Sequence, residues 1–585
     1  MIMRLCHRHP RAVQSLAALL APLLLLVLVL HAGSASAAKS AGVTDANAAI
    51  VSAESALQRA DCGAASTLYQ KAAQQLAQVE LSARATNVAL ACGQFAAAED
   101  AAQRWTQLAP KDSTAGLALV QAELGAYRLV EARAHFKSWL AVAGRDVPAA
   151  IDALATRAGN EPALAMLREL DDARLRGVEA QRMLAELALD SWDGGAALRF
   201  VQGARTAGAA GGAGATASAT LASLAARAHA MQGNEAAATG EARAAAADKQ
   251  GRLALAQSFL LLGKSDAAEA ELQRLRGDAD VGGQASRQLV QLALEKGDYA
   301  VAEQRCNTLE HEPGSSALAM YVLGLIAERR GDDEAALRAY ELLSGTGFEP
   351  QGRRRAAGII YAQGEREAAL RLLAVPRDAE PGERIRGEIA AADLLSLAGA
   401  PEEAVGRIEV ALRRAPGNPE LDYQRAVLLE RAGRVDAAIK LLETLHASRP
   451  LDAAITNALG FTLADHKRDL PRAEQLIRAA LQAQPDNPAM LDSLGWALYR
   501  RGQFSAAVSQ LERAFRLQHD GDIGAHWGEA LWASGQKSAA RAAWQRALAA
   551  DPDNKLLVAT AARYARDLSA PAPPPALEPA SHTSI

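Results

Sequence analysis

The sequence predicts an all-α fold, a right-handed superhelical solenoid of antiparallel helix pairs, and three observations carry that expectation. Hydrophobic residues make up 50% of the chain and aromatics only 4%, so alanine and leucine must supply most of the packing. Alanine has the highest helix propensity and lets helix axes approach closely. Glycines recur at a fixed step: Gly263, Gly297 and Gly331 lie 34 residues apart, as do Gly399 and Gly433, while Gly502 and Gly535 lie 33 apart. Apolar positions keep that step, with Ala268, Ala302 and Ala336 at intervals of 34 and Ala404 and Ala438 likewise. A unit of this length holds two helices, neither of which buries its apolar face alone; stacking successive units closes one core.

Taken in order, residues 1–37 read as a signal peptide. Arg4, Arg8 and Arg11 precede an uncharged run from Leu16 to Leu30, and Ala35, Ser36 and Ala37 offer small residues for cleavage. The run is short beside the roughly 20 residues of a spanning helix, although flanking alanines leave retention as an uncleaved anchor as the other reading. Residues 38–141 form an N-terminal helical lobe. Residues 142–247 are less regular and contain a Gly/Ala-rich loop at 206–220. Residues 248–554 form the regular superhelix, residues 555–568 a capping helix, and residues 569–585 a disordered Pro-rich tail. Roughly thirteen helix pairs are expected from residue 48 onward.

The unit spelled LDSLGWALYRRGQFSAAVSQLERAF, residues 491–515, shows the logic. Leu494 and Leu498 share one helix face, Gly502 supplies the turn, and Phe504 covers the junction. Ala507, Leu511 and Ala514 share a face of the second helix, and Gly495 lies on the first. The next unit repeats the pattern as Trp527, Gly528, Leu531, Gly535, Ala540, Trp544 and Ala547. With this period and these residues in register, the chain resembles the tetratricopeptide repeat family.

Residues 457–554 further resemble the C-terminal repeats of large Gram-negative periplasmic repeat proteins, in the DSLGWALYRRGQF and HWGEALWASGQ units. Some of those proteins are outer-membrane lipoprotein adaptors that bind a carboxyl-terminal processing protease and help it destroy cell-wall hydrolases. The resemblance implies a non-catalytic periplasmic adaptor, with a component of an exopolysaccharide or pilus export machine as the alternative. It implies protein or peptide partners, including such a protease and its substrates. Cys6 precedes the apolar run, so no lipobox cysteine is evident and outer-membrane association stays open, while after signal cleavage no bulk membrane insertion is expected.

The net charge of -4 lacks the basic footprint of a general nucleic-acid binder. Beyond the signal segment the cysteines are Cys62, Cys92 and Cys306. In repeat register Cys62 and Cys92 fall at the same end of adjacent layers, where a disulfide and two small buried thiols are both compatible. Cys306 is expected as a buried packing thiol without an activating base. His466 and His519 fall at repeat junctions and are expected as solvated turn residues. No zinc-type histidine pair and no phosphate-cradling loop occurs, so neither catalytic residues nor a cofactor or metal is predicted. Trp105, Trp139, Trp527 and Trp544 keep packing spacing, whereas Trp496 and Trp532 are candidates to face the groove.

Overall fold

The computed structural model describes residues 37–565, except 143, 212–214, 247–248, 310–314 and 377–378. The expected signal peptide, apart from its last residue, and the Pro-rich tail lie outside the described residues. Among the described residues are thirty-one α-helices, arranged as fifteen antiparallel pairs and a closing helix. The chain is an all-α solenoid of stacked helix pairs. Two glycines show how a pair turns: Gly502 (φ 77°) and Gly535 (φ 84°) adopt left-handed backbone between their helices, a conformation that costs glycine nothing. The closing helix, Lys555–Tyr564, stops short of the expected 568.

Two expectations are corrected. The stretch 206–220 is not a loop: Gly194–Gly211 and Ala215–Met231 run helical on both sides of 212–214. Alanine's helix propensity outweighs the scattered glycines there. More pairs are present than the period suggests because the region from 142 holds short helices such as Val147–Ala158 and Asn160–Leu167, which dilute a 34-residue pattern.

The packing does not follow the expected divisions at 141 and 247. One core runs from Val120 to Met231 and continues through Ala426 to Ala565, and another joins Ala46–Ala101 to Ile385–Ala438. Both arise because the solenoid closes on itself. Asn418 Nδ2 donates to the Cys92 carbonyl (3.0 Å), and Gln94 Nε2 donates to the Pro416 carbonyl (2.9 Å). Further along, the Gly194 N–H donates to Asp486 Oδ2 (2.9 Å), and the Asp486 N–H donates to the Trp192 carbonyl (2.9 Å). Arg516 Nη1 donates to the carbonyls of Ala230 (3.0 Å) and Leu261 (2.7 Å). Arg329 pairs with Asp553 (2.5 Å), and Lys555 donates to the Leu397 carbonyl (3.2 Å).

Loops between 416 and 555 thus lie edge to edge along turns between 92 and 397. The later stretch is a little under half as long, so the C-terminal repeats form a tighter turn seated on a wider one. The tight turn leaves no space within it: Phe461 reaches His526, two repeats on, with ring centroids 6.5 Å apart.

Candidate protein-binding face

The first helix of each pair lies on the inner side of the array, as direct contact between Pro381–Leu397 and Pro419–Arg431 illustrates. Across the wide turn these inner helices present accessible side chains. Arg354 on Glu349–Ala362 and Arg386 on Pro381–Leu397 are exposed, while Tyr361 is half-buried. Asp393 accepts from Gln424 Nε2 (2.5 Å) and lies 3.7 Å from Arg431, tying neighbouring inner helices together. Burial raises the Asp393 pKa, while the Arg431 charge and the Gln424 hydrogen bond act the other way. Cations, carboxylates and aromatic faces on one concave strip can make many modest contacts with a peptide or protein surface.

The tight turn is different. Every residue from Met490 to Leu498 is buried, as is every residue from Ile523 to Leu531. Trp496, expected as groove-facing, is 6% exposed, so it fills the inner side instead of lining an opening. Its Nε1 donates to Asp465 Oδ1 (2.9 Å), its ring stacks on His526 at 4.1 Å, and the Arg500 guanidinium sits 4.6 Å from its centroid. His526 Nδ1 is 2.9 Å from Asp492 Oδ1. Burial would depress the His526 pKa, but the Asp492 carboxylate beside it prevails and raises it. Trp532 is half-buried among Trp544 (6.0 Å), Tyr564 (5.5 Å) and Lys537 (5.2 Å), and so packs toward the closing helix.

The repeat-packing residues occupy one framework. Leu494, Leu498, Ala507, Leu511, Ala514, Ala540, Trp544 and Ala547 are all buried. A Cβ on Gly495 would strike Leu511, and one on Gly528 would strike the Trp544 indole, so each glycine marks where a second helix presses on a first. Phe504 lies half-buried with Tyr499 at 5.7 Å.

Cys62 opens the helix Cys62–Gln75 and Cys92 caps Val79–Ala91; the two are joined as a disulfide with Cα atoms 5.6 Å apart. Cys306 is a free buried thiol whose pKa burial pushes up to about 12, which leaves it unreactive at neutral pH. The two histidines depart from the expected solvated turns, because each finds a carboxylate on another repeat. His466 Nε2 lies 3.0 Å from Glu430, and His519 Nδ1 lies 3.4 Å from Glu295 across the two turns.

Glu430, Asp465 and His466 bring one ligand atom each within 4.8 Å, so they could hold a cation. Asp465 already accepts from Trp496 and Arg500 (2.6 Å), and a metal would compete with that guanidinium. Among the described residues, no helix is long and apolar enough to cross a membrane.

Sequence reasoning missed His526, Asp492 and the contacts between turns. A signal existed: Asn418, Asp452, Asp486, Asp520 and Asn554 recur every 34 residues. These short polar residues satisfy exposed N–H groups at helix starts along the edge that meets the wide turn.

The sequence matches the tetratricopeptide repeat family over residues 253–313, 287–344 and 395–460. A TPR repeat-containing protein of Pseudomonas aeruginosa is 34% identical over 212 residues, which is 36% of this chain and 36% of that protein. The chain therefore aligns with about a third of that relative's length. Among solved structures, yeast Tom70 is 13% identical over 89% of this chain and 95% of its own, with a TM-score of 0.33. A thermophilic TPR protein of Thermus thermophilus is 22% identical over 31% of this chain and 97% of its own, with a TM-score of 0.29. Scores this low carry no argument, and the fold rests on the chain's own geometry. Over those stretches the chain is similar to tetratricopeptide repeats and to another TPR repeat-containing protein, in keeping with the all-α solenoid of stacked helix pairs that its geometry shows.

Proposed function

We propose that the chain is a periplasmic adaptor that holds a protein partner along the inner face of its wide turn and brings cell-wall hydrolases to a carboxyl-terminal processing protease. The observation that carries the binding reading is the contrast between turns. Arg354 and Arg386 stand exposed on inner helices of the wide turn, whereas the corresponding helices of the tight turn are filled by their own side chains. The compartment is supported by the apolar run from Leu16 to Leu30 and by the Cys62–Cys92 pair, which an oxidising environment would maintain. The protease role is supported by the resemblance of residues 457–554 alone.

Affinity capture from a Gram-negative envelope extract tests the reading. Wild-type chain is expected to retain a processing protease together with cell-wall hydrolases. An Arg354→Glu/Arg386→Glu variant, folded as judged by circular dichroism, is expected to lose the hydrolases. Recovery of secretion-channel components in place of both would replace this function with a role in export.

A further inference from the structure

We propose that the Cys62–Cys92 disulfide is a redox latch for the seam between the wide and tight turns: cleaved by a dithiol, it frees residues 416–421 of the tight turn from the first two helix pairs. The bond lies at the seam itself. Cys62 opens Cys62–Gln75, Cys92 caps Val79–Ala91, and the residue after each cysteine is a glycine pressed by the tight turn. A Cβ on Gly63 would strike the Pro416 ring, and one on Gly93 would strike the Asn418 amide. Asn418 is buried and held from both sides. Its Nδ2 donates to the Cys92 carbonyl (3.0 Å), while its Oδ1 accepts from the N–H groups of Glu420 and Leu421 (3.1 Å each) and so caps Pro419–Arg431. Gln94 Nε2 adds its bond to the Pro416 carbonyl (2.9 Å). Both cysteines belong to the core that also holds Ala415 and Leu421.

The bond fixes the spacing on which this docking depends. In its cleavage one reductant thiolate attacks a sulfur and expels the other cysteine, and the second reductant thiol then displaces the first; the dithiol leaves as a disulfide and both cysteines gain a proton. Two unbonded thiols need more room than a bonded pair, and a close-packed interior has little to give. Cys92 is fully buried and Cys62 is 3% exposed. The sulfurs can separate only by moving the helix ends that carry them, and those ends bear Gly63 and Gly93, which have no spare space beneath Pro416 and Asn418.

The coupling is reciprocal: if reduction weakens the seam, an open seam favours reduction by the same factor. Further along, the seam is held by groups that do not touch the cysteines, Asp486 with Gly194 and Arg516 with Ala230 and Leu261, so release is confined to this edge. Cys306 packs in a separate core and does not exchange with the pair. Release bares the start of the inner helix Pro419–Arg431.

Hydrogen exchange by mass spectrometry on the full chain, with and without dithiothreitol, tests the latch, with alkylation of the freed thiols reporting cleavage. In the reduced chain, peptides covering 92–98 and 418–424 are expected to lose protection by about fivefold or more, the lower end of couplings between linked sites. Peptides within 484–517 should keep theirs. In a buffer of reduced and oxidised dithiothreitol at equilibrium, Asn418→Ala should shift the ratio of disulfide to thiols about fivefold toward the thiols. Unchanged protection at 418–424 in a chain shown to be reduced overturns the latch, as does an unshifted ratio in folded Asn418→Ala. Equal loss of protection through 484–517 overturns it too, since the bond would then support the whole fold, and so does a bond cleaved only in denaturant. The wild-type comparison decides even if the variant fails to fold.

Discussion

At the scale of single residues, Gly528 is a site where sterics and propensity oppose each other. Replacing a helical glycine by alanine should add stability, by about 1 kcal/mol. Here the new Cβ would enter the indole of Trp544, a fully buried ring with no room to retreat, and overpacking of this kind costs about 1–3 kcal/mol. Gly528→Ala is therefore expected to lower the urea midpoint with an unchanged m-value, and a raised midpoint would contradict the close approach. His526 offers a test of charge. Its raised pKa means that its contribution through Asp492 is fully present below the unfolded value, about 6.5, and is lost as pH rises through the folded value. The stability gap between wild type and His526→Gln should be widest near pH 6 and shrink toward alkaline pH in denaturant titrations.

At the scale of elements, the first two helix pairs depend on a covalent tie. Cys62 and Cys92 are separated by 30 residues, and closing such a loop restricts the unfolded chain by about 3–4 kcal/mol in the chain-entropy account. Treatment with dithiothreitol, or the Cys62→Ser/Cys92→Ser variant, should expose the 37–108 region to limited proteolysis before the rest; equal cleavage with and without reductant would argue against the bond. The helix pairs around residue 500 were legible in the sequence because Gly502 and Leu511 have counterparts in register one repeat away. The helices at 206–211 and 215–220 were not, since glycine-rich composition suggests a loop while the alanines between favour a helix. Trp496 was legible as an inner-side residue but not as a buried one. Whether an inner side chain meets a groove or a neighbour depends on curvature, which sums small angles over many repeats and leaves no mark at any one position.

At the scale of the whole molecule, the seam changes how stability is distributed. An open solenoid unfolds by nearest-neighbour steps, because each repeat touches only the next. Here Arg516 donates to backbone carbonyls 286 and 255 residues away, and Asp486 both accepts from Gly194 and pairs with Arg513. Two cores shared by early and late repeats join these contacts, so the ends of the chain should unfold together. Arg516→Ala takes a charged donor from both carbonyls; Ala230 keeps its bond from the Gly233 N–H (2.9 Å), so the cost, about 1–3 kcal/mol if the site stays buried, falls chiefly at Leu261, while every repeat's own framework stays intact. The expected outcome in a thermal or urea scan is a single transition for wild type and a broadened or split one for Arg516→Ala, with the C-terminal repeats melting apart from the wide turn. A variant that shifts the midpoint without broadening would mean that Arg516 acts only within its own repeat, and that the closed form is held by the shared cores alone.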